Sequence, residues 1–127
     1  MRDEVTRWLL QAKEELSAAE LSFQGKKWFA VAFWCQQAVE KGLKALFLFK
    51  KKESVGVTHS LTFLGRELGI PSEFQQFLRE LTKEYYFSRY PDASDDVPYL
   101  AYGEKDVFSY LQDTKKGLQW VEQQLKK

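Results

Sequence analysis

Val5, Trp8, Leu9, Ala12, Leu16, Ala19 and Phe23 recur at steps of three and four residues. That spacing lays a single apolar stripe along an α-helix. Asp3 and Glu4 stand in its first turn, where the helix dipole favours acids, and Gly25 is placed to cap its far end. The pattern predicts a helix over about 3–23, on the order of 30 Å long. The next stretch differs. From Trp28 to Phe49, aromatic and aliphatic side chains fall nearly all round the helix. A helix with no polar face is either central to its fold or shared with a partner chain. Gln36, Gln37, Glu40, Lys41 and Lys44 interrupt it, with Glu40 and Lys44 at the spacing of a favourable ion pair. Lys50, Lys51 and Lys52 complement the dipole at its end.

After a loop, Thr58 or His59 starts a short helix with Leu61, Leu64 and Leu68 on one face, closed by Gly69. Ser72, answered by Gln75 three residues on, reads as a capping box opening a fourth helix through Phe74, Phe77, Leu78 and Leu81. Pro91 and Pro98 bound an irregular break. A last helix over about 104–126 presents Val107, Leu111, Leu118, Val121 and Leu125. No segment alternates as a strand does, and no repeat appears. The expected fold is all-α, an antiparallel up-and-down bundle of about five helices, with residues 1–127 forming one domain. Strict alternation of direction would bring Lys50, Lys51, Lys52, His59, Arg89, Tyr90 and Asp92 to one pole.

Charge and composition narrow the function. Among 127 residues, 19 basic and 18 acidic side chains give a net charge of +1, too balanced for a global field that attracts nucleic acid. The lone Cys35 forms no internal disulfide, which points to a reducing compartment. The longest apolar run, residues 28–35, is too short to cross a bilayer, and acids stand where a signal peptide would be apolar. The expectation is a cytoplasmic protein away from membranes, with no cofactor.

The chemistry concentrates in residues 84–103, which hold five of the six tyrosines with Arg89, Asp92, Asp95 and Asp96. Arg89 offers a planar fork for phosphate or carboxylate, or an internal tie to Asp92, Asp95 or a helix C-terminus. His59, the only histidine, offers an imidazole that serves as a base or phosphate donor, or as a structural cap. The tyrosines stack a base or cover the bundle end. The aspartates do not form a calcium loop, because Val97 and Gly103 occupy the positions that need Gly and Glu. One Cys and one His do not make a zinc site, so no metal is expected. Cys35, beside Phe33 and Trp34, reads as a small buried hydrophobe. Lys41 and Lys44, along one face with Gln37, meet a ligand, a second copy or solvent.

Three segments in order carry a resemblance: Gln37-Ala38-Val39-Glu40-Lys41-Gly42-Leu43-Lys44, then His59-Ser60-Leu61, then Arg89-Tyr90-Pro91. With the opening helix they resemble the HEPN family (higher eukaryotes and prokaryotes nucleotide-binding domain) over nearly the whole chain. The resemblance implies a helical bundle that commonly dimerises, here through the apolar second helix. It also implies a minimal nucleotidyltransferase partner in a toxin–antitoxin-like pair, and a nucleotide or RNA as ligand. Many relatives are metal-independent ribonucleases whose motif is an arginine followed five to seven residues later by a histidine. This chain departs from that motif, since Lys52, Glu53 and Ser54 stand five to seven positions before His59. The expected ligand-binding set is His59, Arg89, Tyr90, Asp92, Lys41 and Lys44, with His59 and Arg89 the candidates for any catalysis. The rivals are a ribonuclease with a site composed from two chains and a purely structural interaction module.

Overall fold

A computed structural model of the chain describes residues 3–127. It is all-helical, with no strand among the described residues. Helix α1 spans Asp3–Gln24, α2 Trp28–Lys51, α3 Leu61–Leu68 and α4 Gln75–Thr82. A single further turn, α5, covers Glu84–Phe87, and α6 spans Glu104–Leu125. The five expected helices are therefore present, the fourth being interrupted at Lys83 between α4 and α5. Short 3₁₀ turns at Ser72–Phe74 and Pro98–Leu100 join the segments.

Helix α2 is the axis of the molecule and packs against α1, α3, α4, α5 and α6. Val31, Ala32, Cys35, Val39, Leu43 and Leu46 are fully or almost fully buried along it. Its all-round apolar character is thus consumed inside the chain and does not by itself require a second copy. Val5, Ala45 and Leu48 close the α1–α2 seam at one end, and Ala12, Ala38 and Leu118 fill the layer where α1, α2 and α6 meet.

Cross-helix contacts fix the directions. Lys41 meets Glu15, and Lys44 lies over Trp8, so α2 runs antiparallel to α1. Lys13 pairs with Glu122, Lys115 with Glu20, and Phe23 meets Phe108, so α6 also runs antiparallel to α1. It therefore runs in the same direction as α2. Phe77 meets Tyr110 and Glu84 bonds Tyr102, so α4 and α5 run antiparallel to α6. Leu61 N donates to Thr82 Oγ1 and Gly65 faces Leu78, so α3 runs antiparallel to α4 and in the same direction as α2. The alternation of direction is therefore broken between α2 and α3. The sequence could not reveal this, because residues 52–60 are long enough to carry the chain back along α2 before α3 begins.

Local signals held in part. Asp3 and Glu4 occupy the first turn of α1, and Lys50 and Lys51 the last turn of α2. Helix α3 begins after His59, with the Ser60 hydroxyl accepting from the Phe63 amide. Gly25 is not the left-handed residue after α1; Lys26 is, at φ 59°, one residue later. The Ser72–Gln75 capping box does not form, because Pro71 sends the chain into a 3₁₀ turn and α4 starts without a side-chain cap.

Candidate functional site

Glu40 lies midway along α2 and is 4 % exposed. A carboxylate so placed needs donors, and three converge on it. Gln36 Nε2 donates to Oε1 at 3.0 Å, Lys44 Nζ to Oε2 at 3.2 Å, and His59 Nδ1 lies 2.9 Å from Oε1. Gln36, Glu40 and Lys44 are successive i,i+4 positions, so one helical stripe supplies everything but the imidazole. His59 arrives because residues 52–60 double back along α2 to Ser60, the cap of α3.

The imidazole stacks on Tyr85 of α5, with centroids 3.7 Å apart and planes 17° from parallel. The guanidinium carbon of Arg89 lies 4.5 Å from the same Tyr85 ring, 4.7 Å from Phe33 and 4.9 Å from Tyr90. Such contacts favour a cation and leave its in-plane donors free. Arg89 Nε donates to the Tyr85 carbonyl at 2.9 Å, while its buried Nη2 has no acceptor. Arg89 forms no ion pair with an aspartate among the described residues.

The two groups that sequence reasoning put together, His59 and Arg89, thus share one tyrosine. Their meeting place is the flank of α2 between Phe33 and Glu40, not the tip of the bundle. Lys50, Lys51 and Lys52 lie away at the end of α2, roughly 15 Å further along its axis at 1.5 Å per residue. Tyr90 and Asp92 are exposed and line, with Tyr86, Phe87 and Ala93, an open hollow of about 450 Å³. Lys41 and Lys44 are committed elsewhere: Lys41 Nζ is 3.0 Å from buried Glu15 and also donates to Gln37 Oε1, and Lys44 sits on Glu40. Asp95 and Asp96 are exposed. Sequence reasoning missed Glu40 as a hub and Tyr85 as the bridge. The signal for Glu40 was its polar stripe on an apolar helix; Tyr85 carried no signal, since stacking on a residue 26 positions away is not encoded locally. Burial pushes the Cys35 thiol up to about 12, which suits a packing residue and not a nucleophile.

A second buried carboxylate lies on the other side of α5. Glu84 is 5 % exposed, and its Oε1 accepts from the Tyr102 hydroxyl at 2.6 Å. This bond ties the end of the irregular segment to the bundle. Burial raises the Glu84 carboxyl above its ordinary range, partly offset by the Tyr102 and Tyr110 hydroxyls. A carboxyl raised on folding binds more protons in the native state, so its contribution is greatest at low pH. It is lost as pH climbs from the ordinary carboxylate range through the raised folded value. Urea unfolding between pH 4 and 8 should therefore show Glu84→Gln gaining stability relative to the parent as pH rises. A difference independent of pH would contradict this.

The chain matches the HEPN domain model over residues 5–124. It is similar to the crystal structure of TT1696 from Thermus thermophilus, with TM-score 0.88 and 29 % identity over 97 % of this chain and 99 % of that one. It is also similar to the crystal structure of ST0689, an archaeal HEPN homologue, with TM-score 0.82 and 31 % identity over 98 % of this chain and 99 % of that one. No protein with a curated description matches it. A helical bundle matched from near its first residue to near its last, in sequence pattern and in shape, leaves one assignment: the chain belongs to the HEPN family.

Proposed function

We propose that this chain is the HEPN half of a toxin–antitoxin-like pair with a minimal nucleotidyltransferase, and that its His59–Tyr85–Arg89 flank binds a nucleotide-type ligand. The observation that carries the reading is the Arg89 guanidinium. It is oriented by three rings and the Tyr85 carbonyl, and its Nη2 lacks an acceptor. A phosphate oxygen would supply that acceptor with a charge-assisted bond. Tyr90, 44 % exposed, is the most open of the three rings and would have to turn aside to admit it. Tyr86 and Tyr90 then offer faces for a base, and Asp92 an acceptor for a sugar hydroxyl. The imidazole, its Nδ1 held by Glu40, presents Nε2 as the remaining ring nitrogen toward ligand. Lys41 and Lys44 leave the ligand set, because drawing them away would strand buried carboxylates.

Calorimetric titration with ATP and AMP tests this. The parent chain is expected to bind, and Arg89→Gln to bind about tenfold or more weakly, the usual worth of a charged hydrogen bond. Absence of heat with either nucleotide, beside tight association with a neighbouring nucleotidyltransferase, would favour a purely structural interaction module. The ribonuclease reading draws on the proximity of His59 and Arg89 at one ring. It requires RNA breakdown without added metal, abolished by His59→Ala.

The same reading makes the chain a homodimer through the strip of α2 left half-buried, Phe33, Trp34 and Gln37, beside the exposed Tyr86 and Tyr90. Sedimentation at micromolar concentration should return twice the chain mass, and a monomer there would remove the dimer.

A further inference from the structure

We propose that the groove between α3 and α4 is a second binding site, separate from the Arg89 flank, for a small organic anion. Its ligand is a phosphate monoester or carboxylate carried on a compact apolar body. The groove encloses about 430 Å³, within the range of small-molecule sites. Its floor is Gly65, Ile70 and Leu78, and Arg66 and Arg79 line it, one from each helix. No carboxylate among the described residues lines it. Gly65 lets the Leu78 and Ile70 side chains close onto α3 here. A β-carbon on Gly65 would fall 2.5 Å from Leu78 Cδ1 and 3.0 Å from Ile70 Cγ2.

The charge lining the groove is of one sign. Lys13, Lys41, Lys44 and Lys115 sit on glutamates. Arg66 and Arg79 form no ion pair among the described residues, although Glu67, Glu73 and Glu80 belong to the same stretch of chain. Glu80 instead accepts from Gln76, and Arg79 Nη2 donates to the neutral Gln76 carbonyl at 2.6 Å. Two guanidinium groups without a counter-charge therefore flank one apolar floor. Guanidinium forks suit the oxygens of phosphate or carboxylate, and the floor takes a ring or short aliphatic chain away from water.

Phenyl phosphate is the probe, followed by ¹⁵N NMR on the backbone amides and the arginine Nε groups. Its addition should shift Gly65, Gly69 and Ile70 amides and the Nε signals of Arg66 and Arg79. The double variant Arg66→Gln/Arg79→Gln, with both sites exposed and the fold unaffected, should weaken binding by about tenfold or more. Arg89→Gln should leave it unchanged. Inorganic phosphate and benzoate separate the contributions: each should bind at the same residues more weakly than phenyl phosphate, and the tighter of the two names the head group. Shifts confined to the Arg89 flank, or a double variant that binds within twofold of the parent, would overturn the proposal. Either result would leave the nucleotide reading of the Arg89 flank standing.

Discussion

Glu40→Ala is expected to cost about 3–5 kcal/mol of folding stability, the usual penalty for removing one partner of a buried ion pair. The carboxylate itself is not the main loss. Its removal strands Lys44, whose side chain is only 11 % exposed, and takes the acceptor from Gln36, which is fully buried. His59 is the least affected of the three, because a third of its side chain reaches water. The size of the effect therefore depends on leaving a cation without a counter-charge. Replacing both charges together, Glu40→Met with Lys44→Leu, should recover most of the loss, because no charge is then stranded. Urea midpoints for the two single variants and the pair form the necessary cycle. A Glu40→Ala chain within about 1 kcal/mol of the parent would mean that water already reaches this hub.

The same cluster indicates how far sequence reasoning carries. Helix positions followed from three- and four-residue spacing, and their ends fell within three residues of expectation. That works because burial of a stripe is a property of each helix taken alone. The Glu40–Lys44 pair was legible for the same reason. The second acceptor relation, Glu40 with His59, spans 19 residues and depends on a loop reversing along α2. No local pattern records that reversal. That one reversal starts α3 in the direction of α2, and ordinary alternation from there sets α6 alongside α2. The meeting of His59 and Arg89 was anticipated from an alternating topology, yet it arises through Tyr85, which spacing alone marked as one more residue of a helical stripe. Turn chemistry was the least reliable guide: Lys26 takes the left-handed position beside an available Gly25, and Pro71 overrides a capping box.

The glycines of α2 and α6 should respond in opposite directions. Gly42 lies where the two helices press together, and an added β-carbon would fall 2.5 Å from Leu118 Cδ2 and 3.9 Å from Val121 Cγ2. Gly42→Leu forces a full side chain into this contact and should cost about 3 kcal/mol, the upper end of ordinary overpacking. Gly42→Ala should cost less, because Leu118 Cδ2 is the mobile tip of its side chain. Gly117, on α6 one residue before Leu118, has no atom within 4 Å of its added β-carbon. Gly117→Ala brings only the helix-propensity gain, about 1 kcal/mol. Thermal unfolding of the two alanine variants is the measurement, with Gly117→Ala above the parent and Gly42→Ala below it. Both residues are helical and buried, so propensity alone would move them the same way. If Gly42→Ala also rises, Leu118 is not pressed onto Gly42 as described.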